Sequence, residues 1–176
     1  MPDASTQPGE TAPSCPPPTE PGEQHNWLRR LTGAWSFEGE MPAPPGQLPP
    51  GFSGTETVRA LGDLWIVGEG DNAMPDGGSM TTLVTLGFDP AQDAFVGSFV
   101  CSGFTHMWLY RGRLEDDGRR LVLATTGPDM ESGAMTAYED IIAFEDADHR
   151  TLTSRMRGKD GQWRQVVSMR YRRLPA

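Results

Sequence analysis

The stretch H-N-W-L-R-R-L-T-G-A-W-S-F-E-G-E, residues 25–40, decides the fold. Trp27, Leu28 and Leu31 recur at helical spacing with Arg29 and Arg30 on the other side, which predicts a helix of about two turns over residues 23–31. So short a helix is not stable alone and has to lay its Trp-Leu face on something else. Gly33 ends it, and the pattern switches at once to period two. Trp35 and Phe37 take one side there, and Ser36, Glu38 and Glu40 the other. A helical plug that turns through a glycine into a Gly-x-Trp strand is the opening expected of a small antiparallel barrel, with Trp35 at the floor under Leu28 and Leu31.

Period two then persists to the end of the chain. Candidate strands are 34–41, 52–60, 63–71, 79–88, 93–101, 104–114, 119–127, 134–145, 149–157 and 162–173. Between them stand turn signals such as Pro75-Asp76-Gly77-Gly78, Asp116-Asp117-Gly118 and Lys159-Asp160-Gly161, and a Pro-rich loop from Pro42 to Pro50. No second helix of normal length is visible. About ten short strands joined by hairpins imply an all-β, antiparallel up-and-down meander. So many strands do not stay in one flat sheet, and closure into a barrel follows.

The chain of 176 residues suits one domain, residues 23–176, behind a tail, residues 1–22. The tail is rich in Pro, Ser and Thr and has no large apolar residue after Met1, so it is expected to be disordered. A formal net charge of −9 argues against nucleic acid as a partner. Residues 149–176 nevertheless hold eight basic side chains against the single acid Asp160. Their expected place is the solvent face of strands, paired with acids of neighbouring strands. Cys15 and Cys101 have neither a Cys-x-x-Cys spacing nor histidines at ligand spacing, which fits a reducing compartment and a buried Cys101. No run approaches the roughly 18–20 apolar residues that span a bilayer, and the N-terminus lacks the basic and apolar regions of a secretory signal. A cytoplasmic protein without a membrane partner is the expectation.

Candidate binding residues come from mixed faces. Phe104, His106, Trp108 and Tyr110 share one side of their strand, where His106 has an aromatic neighbourhood suited to hydrogen-bonding a ligand. A buried histidine satisfied by its neighbours is the competing reading, and a lone His makes a poor metal site, so no metal is expected. Thr82 interrupts the apolar set Met80, Val84, Leu86 and Phe88; a ligand-lined wall tolerates that and a dry core does not. Trp65, Val67 and Glu69 form another mixed face, in which an inward Glu69 would hold a polar head or act as a base. Glu56 has similar surroundings. Tyr138 beside Glu139 and Asp140 offers an aromatic edge with two acids, though a sheet surface accounts for it better than an acid–base pair does. Phosphate-cradling glycine loops and the G-x-S-x-G nucleophile elbow are absent, which sets aside nucleotide and serine-hydrolase chemistry.

The run at 25–40 resembles the opening of the DUF1579 family, bacterial proteins of unknown function. So do L-G-D-L-W-I-V-G-E-G (61–70), T-L-V-T-L-G-F-D-P (82–90), F-V-G-S-F-V (95–100), T-H-M-W-L-Y-R-G-R-L (105–114), and D-G-Q-W (160–163) before R-Y-R-R (170–173). The resemblance implies a calycin-like barrel, the class of lipocalins and fatty-acid-binding proteins, with an internal cavity. It brings no activity, cofactor or catalytic residue. Phe99 and Phe104 stand where the family pattern has a Trp and a Met, which reshapes the cavity wall.

The function expected is binding of a small hydrophobic or amphipathic molecule inside the barrel by His106, Trp108, Trp65, Glu69, Thr82 and Tyr138, with no cofactor. One alternative is an isomerase or hydrolase on the same barrel using His106 or Glu69. Another is a structural protein that dimerises through the apolar second side of the 104–114 strand, which carries Met107 and Leu109.

Overall fold

The computed structural model describes residues 20–175 except 45, 75 and 117. The expected disordered tail therefore lies outside the described residues but for 20–22, and so does Cys15. One helix, α1 (Glu23–Arg29), precedes ten strands: β1 (Gly33–Glu40), β2 (Gly51–Leu61), β3 (Trp65–Ala73), β4 (Ser79–Asp89), β5 (Ala94–Cys101), β6 (Trp108–Glu115), β7 (Arg120–Pro128), β8 (Met135–Phe144), β9 (His149–Arg157) and β10 (Trp163–Arg173). Each strand pairs antiparallel with the next, and β10 returns to β1, so the sheet is a closed barrel. Closure leaves no strand edge unpaired, which is what a meander of this length requires. The largest departure from the expected strands is at β6. Residues 102–107 form a turn and a short irregular segment instead, in which the Phe104 amide donates to the Cys101 carbonyl at 3.3 Å.

One end of the barrel is plugged. The indole of Trp35 has no exposed surface and donates to the Leu31 carbonyl at 2.8 Å. Above it Trp27, Leu28 and Leu31 are buried, and Trp27 meets Phe95 and Phe144 edge-on at 6.2 and 5.4 Å. Burial of each such side chain contributes about 1.5–3 kcal/mol, which anchors a seven-residue helix that could not stand alone. Arg173, at the end of β10, holds the plug by donating Nη1 to the Thr32 carbonyl at 2.6 Å and Nη2 to the Arg30 carbonyl at 2.9 Å. Gly33 makes that approach possible. Its φ of +123° is a conformation that L side chains rarely adopt, and a Cβ there would lie 2.6 Å from Arg173 Nη1.

The register assigns faces. Phe37 opposes Gly54 and Tyr171, Glu56 opposes Gly70, Leu86 opposes Gly97 and Ile66, and Tyr171 opposes Arg150. Because Phe37, Tyr171, Leu86 and Ile66 belong to the buried core, this parity is the inner one throughout. At the plugged end it is filled solid by leucines, isoleucines and aromatics. Among the described residues no helix is long and apolar enough to cross a membrane.

Candidate functional site

Next to the Trp35 floor the inner face changes character. Glu56 on β2 and Arg150 on β9 form an ion pair, Arg150 Nη2 donating to Glu56 Oε2, with side chains 14% and 2% exposed. The Arg150 guanidinium also lies 3.6 Å from the Tyr171 ring centroid and 4.8 Å from that of Trp35, so aromatic faces cover it. On the strand next to β9, Asp140 of β8 accepts a hydrogen bond from the Tyr110 hydroxyl of β6 and another from the Ser154 hydroxyl of β9. Burial pushes the Asp140 carboxyl above its ordinary value, with the two hydroxyls pulling it back. Burial, reinforced by the Asp140 charge, raises the Tyr110 phenol well above its usual range. Tyr171 is raised as well, by burial first and then by Glu56.

Between this polar layer and the open end, inward side chains keep accessible surface. Thr82, Val84, Phe99, Asp140, Met156 and Met169 all face in and are only half-buried. In a closed barrel such surface faces the open half of the interior, a chamber whose wall at Val84, Phe99 and Met169 also packs against the buried core. Its upper wall carries Trp108, packed against Phe99 at 5.7 Å and set close over Gly127, where a Cβ would come within 2.2 Å of the indole nitrogen. A shallow outer groove of about 520 Å³ adjoins the mouth, lined by Glu38, Glu40, Met74, Ser168 and Arg170, with Phe52 at its inner border.

Four of the residues singled out in the sequence gather at the open half. Trp108, Thr82 and Tyr138 face inward; Thr82 donates to the Gly70 carbonyl at 3.4 Å and Tyr138 to the Pro128 carbonyl at 2.7 Å. His106 sits on the rim before β6, its ring edge-on to Trp108 at 4.9 Å and its Nε2 3.1 Å from the Thr126 carbonyl oxygen. Trp65 and Glu69 do not join them, which corrects the lining expected of β3. Both stand on the outer face, Trp65 40% exposed over Gly87 and Glu69 opposite the outward Leu83. The physical reason is that the inner face of β3 reads Ile66, Gly68, Gly70 and Asn72. Its glycines receive Val84 and Thr82 from β4, so the interior is packed by the neighbouring strand and not by β3.

What sequence reasoning missed is the polar layer itself. Arg150 was expected on the solvent face with the other arginines, yet it shares its parity with Leu152 and Met156, whereas Thr151, Thr153, Arg155 and Arg157 share the other. That parity was the available signal. Arg155 does behave as expected, donating Nε and Nη2 to the outward Glu139 at 2.8 and 2.5 Å. The Asp140 neighbour of that glutamate points the opposite way, inward. Among the described residues no three of His, Cys, Asp and Glu gather to hold a metal ion. His106 has no carboxylate partner there, and Glu69 faces away, so the acid–base pair an enzyme reading needs from these two is not assembled.

A family model described as "Protein of unknown function (DUF1579)" matches residues 20–173. Among solved structures the chain is similar to Rv2717c from M. tuberculosis, at 13% identity and a TM-score of 0.60, covering 89% of this chain and 100% of that one. It is also similar to the S-type phycobiliprotein lyase CPES from Guillardia theta, at 12% identity and a TM-score of 0.57, covering 87% of this chain and 93% of that one. At such identities the likeness is one of fold. No curated protein matches the sequence.

Proposed function

The chain belongs to the DUF1579 family of proteins of unknown function, and from that footing we propose that its barrel binds a small, partly apolar molecule in the open half of its interior. The observation that carries this reading is the half-buried state of inward side chains above a fully packed floor. A barrel built only for stability gains nothing from leaving Val84, Phe99, Met156 and Met169 incompletely covered, since each forgoes part of its burial energy. Phe99 and Trp108 supply flat apolar wall, the methionines adapt to an irregular surface, and Thr82 and the polar layer orient what enters.

The test is saturable binding of the neutral fluorophore N-phenyl-1-naphthylamine. One site per chain is expected, together with a melting temperature that rises with probe concentration. Filling the chamber with Met156→Trp abolishes both. Absence of a saturable site, or binding untouched by Met156→Trp in a folded variant, ends this reading.

A second reading, dimerisation through the outer wall, is favoured by the exposure of Leu109 at 65% and Met107 at 54%. Light scattering decides it. A dimer that Leu109→Lys dissociates supports it, and a monomer removes it.

A further inference from the structure

Resting on the interior-binding reading, we infer that the ligand carries a protonated nitrogen on an apolar skeleton and that Asp140 is the group that receives it. Among the described residues the inner faces between floor and rim bring three charges, Glu56, Arg150 and Asp140; Arg164, on the same parity at the rim opposite Met156, is exposed and engaged by Asp160. The first two cancel in their ion pair. Asp140 has no cation, only the hydroxyls of Tyr110 and Ser154. A carboxylate on the inner face of a barrel is ordinarily matched by a positive group, and among the described residues none is bonded to it.

Reach separates the two possible anchors. Arg150 is 3% exposed and covered by Tyr171 and Trp35; its Nη2 is taken by Glu56, and its Nε, though without a partner among the described residues, is buried, so an anionic ligand would have to part those aromatic faces to reach it. Asp140 is half-buried and therefore accessible from the chamber. A carboxylate offers about four lone-pair positions, of which the two hydroxyls occupy two, leaving room for an N–H donor. A second orphan lies beside it. Thr125 Oγ1 on β7 is buried without a hydrogen-bond partner, and Thr125 opposes Tyr138, two residues along β8 from Asp140. Both groups lie on the inner parity of adjoining strands. The aromatic surface of Phe99 and Trp108 higher in the chamber suits the apolar remainder of such a molecule.

The experiment compares three probes of one skeleton at about pH 8: 1-naphthylmethylamine, 1-naphthylmethanol and 1-naphthoate, titrated by calorimetry. Expected is an amine that binds about tenfold or more tightly than the alcohol, the size of a hydrogen bond to a charged group, with naphthoate weakest. Asp140→Asn should bring amine and alcohol within about twofold while alcohol binding persists. Tyr110→Phe keeps the carboxylate and should keep the amine preference, which preserves the test if the Asn variant does not fold. If alcohol or naphthoate equals the amine on the wild type, if the preference survives Asp140→Asn, or if Tyr110→Phe abolishes it, the inference is overturned and interior binding stands. If none of the three binds saturably, the interior-binding reading falls and takes this inference with it.

Discussion

Arg150→Met breaks the ion pair inside the barrel while filling much of the same volume. The Glu56 side chain, 14% exposed, is then left among apolar and aromatic groups without its cation. Losing one member of a buried pair costs about 3–5 kcal/mol, because the remaining charge keeps its desolvation penalty and loses the attraction that offset it. The guanidinium also leaves the Tyr171 face at 3.6 Å and the Trp35 face at 4.8 Å, worth about 0.5–2 kcal/mol of cation–π attraction in a desolvated site. The chamber lets some water reach Glu56, so the lower end, about 3 kcal/mol, is the expectation. With a urea m-value of about 2 kcal/mol/M, the unfolding midpoint followed by tryptophan fluorescence falls by about 1.5 M. The double variant Glu56→Gln/Arg150→Met removes both charges and should regain about 2 kcal/mol of that loss. A single-variant loss under about 1 kcal/mol, or a double variant no better than the sum of its parts, refutes the view that an uncompensated buried charge is what matters here.

Gly33→Ala places a Cβ at φ +123° and 2.6 Å from a guanidinium already engaged by two carbonyls, so a loss of about 2–3 kcal/mol in urea unfolding is expected; a change below about 0.5 kcal/mol counts against the strain argument. Burial raises Asp140 above 3.8, so the native state keeps that proton to higher pH than the unfolded chain. Its contribution to stability is complete below pH 3.8 and is lost as the pH rises through the raised value. The stability of Asp140→Asn relative to wild type should therefore climb with pH across that window in paired urea titrations, and a flat or falling difference contradicts it. Trp65→Ala and Glu69→Gln should leave fluorophore affinity within about twofold, whereas Phe99→Ala should weaken it about fivefold or more, because only Phe99 faces the chamber. Equal sensitivity of both walls would show that the faces have been assigned the wrong way round.

Architecture was readable from local pattern. Alternation in ten segments, turn chemistry between them and the helix-to-strand switch at Gly33 each constrain a few consecutive residues, and together they permit little besides a closed antiparallel meander. The end that is plugged was readable for the same reason, since Trp27, Leu28, Leu31 and Trp35 lie within nine residues of one another and had to pack together. His106, Trp108, Thr82 and Tyr138 reach the open half because aromatic residues, and a polar residue set within an apolar face, mark walls.

Tertiary structure decided which side of each strand is inside. On β3 hydrophobicity favoured Trp65 and Val67, but the ring of strands closes with the glycine face inward and lets β4 fill the space, a choice made by neighbours and not by β3. The same holds for chemistry. Glu56 and Arg150 are 94 residues apart, and Tyr110 and Asp140 are 30 apart. Each reads as an ordinary strand charge or hydroxyl until closure turns it inward, where low polarity makes its partner, or the want of one, decisive. The sequence by itself determined that a barrel with a plugged floor would form. Only the closed sheet determined that a paired arginine would be hidden in it and that one carboxylate would be left facing the chamber.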